Sequence, residues 1–121
     1  MKKISEFSLI GNDVCWYFGD KNIKVSYPNI EQAIANVRQG YILVLLKGDN
    51  LPEQLIVLDG RGKEIENITS IDDFNLYYLS KHPKATVSIV CVSDSPVDGF
   101  TDWHFGYNLK EHKFTRLNRA Y

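Results

Sequence analysis

The chain has 121 residues, 44% apolar and 24% charged, with 14 Lys and Arg against 15 Asp and Glu and only 2 Cys. That composition excludes wholesale disorder, collagen-like repeats and coiled coil, and a net charge of −1 argues against a strongly basic nucleic-acid-binding domain. The length fits a single domain over residues 1–121 that folds without a metal or disulfide staple.

In chain order, Met1-Lys2-Lys3 begins basic, but Glu6, Asn12 and Asp13 interrupt any apolar stretch, so no signal peptide is expected. Val14–Phe18 and Ile23–Tyr27 flank the turn cluster Gly19-Asp20-Lys21-Asn22 and read as a hairpin, the second strand alternating Ile23, Val25 and Tyr27 with polar residues. The period then changes. Ile30, Ala33, Ile34 and Val37 fall at i, i+3, i+4 and i+7, with Asn29 as N-cap, Gln32 reaching back and Gly40 as a left-handed stop, which predicts a helix over 29–39. Tyr41–Leu46 lacks polar alternation and predicts a central strand covered on both faces. Its six residues are far short of the ~18 of a membrane span. Leu55–Asp59 and Lys63–Ile68 read as a hairpin across Gly60-Arg61-Gly62.

Ser70 and Asp73 resemble a capping box, and Ile71, Phe74 and Tyr78 keep helical spacing as far as Pro83, which favours a helix over 70–81 against a strand at Tyr77-Tyr78-Leu79. Thr86–Val92 predicts a buried strand, and Trp103–Asn108 with Lys113–Leu117 a last hairpin across Leu109–His112. The expectation is an α+β domain with two helices and about eight short strands in a largely antiparallel sheet.

Motifs for chemistry are sparse. Cys15 and Cys91 lie in apolar runs and read as small buried hydrophobes. The nucleophile-elbow and phosphate-loop signatures are absent, and Gly60-Arg61-Gly62-Lys63 reads as a turn. Asp102, His104 and His112 supply the alternative reading, a small ligand- or metal-binding domain or enzyme, although they lack the paired spacing of zinc ligands. Asp94, Asp98 and Asp102 share a loop with Ser93, Ser95 and Thr101 without the order of a calcium loop, and read as solvated acids. No catalytic residue, metal or cofactor is assigned.

Charge is more informative. Residues 1–48 carry net +2, residues 49–102 net −6 and residues 103–121 net +3. The acidic middle predicts a face that steers and docks a basic protein. The tail mixes Lys110, Lys113, Arg116 and Arg119 with Phe114 and Tyr121, but strand alternation puts Lys113 and Arg116 on opposite faces, so nucleic acid is not the expected partner. Alternation likewise sends Trp103, Phe105 and Tyr107 to one face. The candidate partner-binding residues are Asp94, Asp98, Asp102 and Trp103, with Asp72 and Asp73.

With this length, a Lys/Asn/Ile-rich style, no catalytic set and an acidic, aromatic-bearing surface, the chain resembles the small cytosolic immunity proteins that bacteria encode beside toxins of contact-dependent growth inhibition and related polymorphic toxin systems. The resemblance covers the whole chain and transfers no individual residue. It implies a cytoplasmic, non-enzymatic protein whose partner is a toxin domain, frequently a basic nuclease, neutralised by charge and shape complementarity.

Overall fold

The computed structural model describes residues 2–120, and its described residues form strands, turns and loops with no helix. The α+β expectation is therefore corrected to an all-β fold. Twelve strands run β1 (Ile4–Ile10), β2 (Asp13–Phe18), β3 (Lys21–Ser26), β4 (Ile30–Asn36), β5 (Tyr41–Leu46), β6 (Gln54–Asp59), β7 (Glu64–Ile68), β8 (Ser70–Ile71), β9 (Phe74–His82), β10 (Thr86–Val97), β11 (Phe100–Asn108) and β12 (Lys113–Arg119). Every pairing is antiparallel and between chain neighbours, giving three meanders: β1-β2-β3, β4-β5-β6-β7 and β8-β9-β10-β11-β12.

The middle meander is covered on both faces. Tyr41, Leu43, Leu45, Leu55 and Val57 point toward the third meander and share a core with Leu76, Leu79, Ile89, Cys91, Phe105 and Tyr107. Ile42, Val44, Leu46, Ile56 and Leu58 point the other way, onto Ile4, Val14 and Trp16 of the first meander. This explains the unbroken apolar run of β5, all six residues of which are buried.

The same two-sided burial explains the helix expected over 29–39. Strand β4 carries a bulge between Ile30 and Gln32, so Ile30, Ala33 and Ala35 face one core while Ile34 faces the other. Apolar residues on both faces of a bulged strand fall at i, i+3 and i+4, the spacing of a helix stripe. Gly40 has the left-handed conformation expected of it (φ 85°), but its N–H bonds to Asn36 O across the β4–β5 turn. Gln32 and Asn36 tie sheet to sheet. The Gln32 amide accepts from Leu79 N–H (2.7 Å) and donates to Leu79 O (3.4 Å), and Asn36 Nδ2 donates to Ala85 O (3.3 Å).

Over 70–81 the helical spacing comes from a hairpin. Ile71 and Phe74 are direct cross-strand partners on either side of Asp72-Asp73, both at positive φ (48° and 67°) as a primed two-residue turn requires. A second bulge, at Tyr77, then shifts the buried positions of β9 from Phe74 and Leu76 to Leu79.

The hairpin across Gly60-Arg61-Gly62 forms as the spacing predicts, with Asp59 Oδ1 accepting from the N–H groups of Arg61 and Lys63 (2.9 Å each). Residues of β2 and β3 cover it. Trp16 donates its indole N–H to Gly60 O (2.7 Å), and the Phe18 ring lies against the α-carbon of Gly60.

Both cysteines are free. Cys91 is fully buried, and burial, with a smaller contribution from Asp72, pushes its thiol up to about 12. Native protein at pH 8 is therefore expected to leave Cys91 unmodified by an aromatic disulfide reagent until denaturant is added. Rapid labelling of Cys91 under native conditions would contradict this packing.

Candidate functional site

One end of the third meander gathers most of the residues singled out from the sequence. There β10 and β11 continue beyond the register break at Val92 and close on the turn Asp98-Gly99, whose φ values of 49° and 86° are those of a primed Asp-Gly hairpin turn. Trp103, Phe105 and Tyr107 do share a face. Phe105 and Tyr107 are buried in the core, while Trp103, nearer the free end, packs against its border and stays partly exposed.

Pairing of β11 with β12 brings the basic tail onto this end, since Arg116 stands opposite Phe105 and Arg119 opposite Trp103. The Arg116 guanidinium lies 4.4 Å above the Trp103 ring and Arg119 lies 4.4 Å above Phe100. Phe100 and Trp103 meet edge to face at 6.4 Å, and the indole N–H donates to Phe100 O (3.0 Å). The outcome is an alternating aromatic and guanidinium strip with Phe100 40% exposed at its outer end.

The candidate acids lie on one side of this strip, from β11 across to the β8–β9 turn, and several are engaged within the chain. Asp98 accepts from Arg116 Nη2 at 2.6 Å, Asp94 accepts from Asn75 Nδ2 at 3.2 Å and Asp102 accepts from the Thr101 hydroxyl at 2.7 Å. Asp72 and Asp73 occupy the β8–β9 turn, and Asn75, two residues on, joins that turn to Asp94. The six residues expected to bind a partner thus lie toward one end of the sheet. Phe100, Arg116 and Arg119 were missed as members of this surface. The Asp98-Gly99 dipeptide could have revealed Phe100, by marking a tight hairpin that sets it opposite Val97. Comparison with family models, with curated proteins and with solved structures returns no match.

Asp102, His104 and His112 do not converge. His112 lies in the β11–β12 turn beyond Asn108, four residues along β11 from His104, or about 13 Å at ~3.3 Å per residue. No group of three or more His, Cys, Asp or Glu side chains among the described residues is placed to hold a metal ion.

His104 belongs to a different constellation. Its Nδ1 is 2.7 Å from Ser88 Oγ, and its ring meets His82 edge to face at 5.0 Å. His82 Nδ1 accepts the N–H groups of Lys84 (3.2 Å) and Ala85 (3.0 Å), which fixes the proton on Nε2, where it donates to Asn118 Oδ1 (2.7 Å). Burial first, and His82 second, hold His104 below the ordinary histidine value. A Ser–His contact could suggest a nucleophile and its base, but Ser88 is only 1% exposed, so a substrate cannot reach its hydroxyl. These groups join the β9–β10 hairpin to the end of β12.

Proposed function

We propose that the chain is a non-enzymatic protein-binding module of the toxin-neutralising immunity type, acting in the cytoplasm. Its docking surface is the free end of the third meander. The observation that carries this reading is the partly exposed Phe100–Trp103 pair, each ring stacked with a guanidinium at 4.4 Å. Trp and Arg are among the side chains that most often dominate binding energy, Trp through its large rigid surface and Arg through a planar guanidinium that offers several donors. The acids beside this surface, Asp72, Asp73, Asp94, Asp98 and Asp102, complement a basic partner, and the resemblance to immunity proteins implies a toxin domain such as a nuclease. They set orientation and association rate more than affinity. The chain has no helix long and apolar enough to cross a membrane among its described residues.

Trp103→Ala is expected to weaken the partner complex by about thirtyfold or more, the equivalent of ~2 kcal/mol for a hot-spot aromatic. The check is calorimetry against the toxin domain captured from the native cell, with circular dichroism to confirm an intact fold. Joint replacement of Asp94, Asp98 and Asp102 by Asn should mainly slow association and flatten its salt dependence. Unchanged affinity in Trp103→Ala would remove this surface as the docking site.

A further inference from the structure

Arg116 and Arg119 are held alike, each with its guanidinium 4.4 Å above an aromatic ring. Stacking fixes the plane of a guanidinium and leaves its N–H edge directed outward, the geometry that receives a carboxylate in two parallel hydrogen bonds. At Arg116 a carboxylate from the same chain is already seated through a single contact, Asp98 Oδ2 lying 2.6 Å from Nη2. Arg119 forms no ion pair with a described residue. Both arginines belong to β12, which pairs only with β11 and is an edge strand of its sheet.

An edge strand is open to addition of another strand, and its side chains decide which strands are accepted. Over its seven residues β12 carries Lys113, Arg116 and Arg119 and no carboxylate. A second copy of the chain pairing through β12 would bring cations against cations, which disfavours self-association. An extended segment with acidic side chains meets the opposite condition.

We infer that β12 is a strand-addition edge that takes an extended acidic segment of a partner protein, with one partner carboxylate seated on Arg119 as Asp98 is seated on Arg116. The inference rests on the protein-binding reading and adds a second contact to it. The acids beside the docking surface receive basic groups of the partner, and β12 receives a strand of opposite sign.

The test is a titration of the full, isotope-labelled chain with a blocked heptapeptide, Thr-Val-Glu-Val-Glu-Val-Thr, alongside its Gln-for-Glu counterpart and a short oligothymidine. Expected are saturable amide shifts confined to β12 and Trp103, about tenfold weaker binding of the Gln peptide, and a similar loss in Arg119→Gln. Arg119→Lys should recover only part of that loss, because an ammonium neither stacks nor pairs in a bidentate way. Absence of saturable binding, equal affinity for both peptides, indifference to Arg119→Gln, or preference for the oligonucleotide would each overturn the inference. Hydrogen exchange on the complex with the captured toxin domain separates the two proposals. Protection at Trp103 without protection along β12 overturns strand addition and leaves the docking surface standing. Peptide binding at β12 together with an unchanged toxin complex in Trp103→Ala does the reverse.

Discussion

Replacing Gly60 by alanine is expected to destabilise the protein by about 3 kcal/mol, the upper part of the range for overpacking a filled interior. A β-carbon there would lie 2.3 Å from Phe18 Cε1 and 2.6 Å from Cδ1, with the rest of the ring close behind. The ring has little room to retreat, because Phe18 packs against the core that holds the fully buried Trp16, Ile56 and Leu58. The contact is also tied by a hydrogen bond, since Gly60 O accepts the Trp16 indole N–H at 2.7 Å. Movement of the turn away from Phe18 would strain that bond, and an unpaired buried carbonyl costs a further ~1–3 kcal/mol. For a chain of this size, 3 kcal/mol corresponds to a fall in Tm of roughly 10 °C. Thermal unfolding of Gly60→Ala, alone and combined with Phe18→Ala, checks the mechanism. The two substitutions should be strongly non-additive, because removing the ring removes the clash. An unchanged Tm in Gly60→Ala, or simple additivity, would show that Phe18 does not press on this turn.

The Gly60 turn was legible in the sequence because turn chemistry is local: a Gly-Arg-Gly cluster between two apolar runs needs no knowledge of the rest of the fold. The buried strand β5 was legible for a related reason, as six consecutive apolar residues leave no wet face. Helices 29–39 and 70–81 were misread because spacing reports burial without saying which geometry produces it. In β4 a bulge and two packed faces produced i, i+3 and i+4 matches, and in β8–β9 a two-residue turn placed Ile71 and Phe74 three apart. Gly40 has the left-handed conformation expected of it but closes a strand turn in place of the expected helix, whereas Asp72-Asp73 lacked the glycine that usually marks a primed turn.

The candidate surface was legible in part. The acids at residues 72–102 and Trp103 lie toward one end of a sheet, as a docking reading requires. What the linear charge count concealed is that strand pairing folds the basic tail back onto the acidic segment. Arg116 sits against Asp98, and Arg119 stands opposite Trp103. At this end the sheet carries aromatic rings and guanidinium groups along β11 and β12 and acids toward β8, so part of the acidic segment and part of the basic tail meet on one sheet.

Asn36→Leu is also expected to destabilise the protein, chiefly through lost hydrogen bonds between the sheets. Asn36 is 0% exposed, and its side chain satisfies two backbone groups at once: Oδ1 accepts from Gln39 N–H at 2.9 Å, and Nδ2 donates to Ala85 O at 3.3 Å. Leucine keeps the branch at Cγ with greater bulk and offers neither bond, so the Gln39 N–H loses its acceptor and Ala85 O keeps only Val87 N–H, a loss of about 2 kcal/mol for these part-buried groups. Gln32 does the same work four residues earlier on β4, holding both the N–H and the C=O of Leu79. Strand β8 begins at Ser70, opposite Asn75, so at Leu79, four residues further along β9, Gln32 supplies the hydrogen bonds that a longer neighbouring strand would have made. These two amides fasten β4 to the third meander, and the cost of losing them should appear locally as well as globally. In Gln32→Leu the Leu79 amide is expected to exchange at least tenfold faster while amides of β5 and β6 keep their relative protection. Asn36→Leu should lower the denaturant midpoint with little change in m. Native-like stability in Asn36→Leu, or unaltered exchange at Leu79 in Gln32→Leu, would mean that apolar packing between the sheets holds them without the amide clamps.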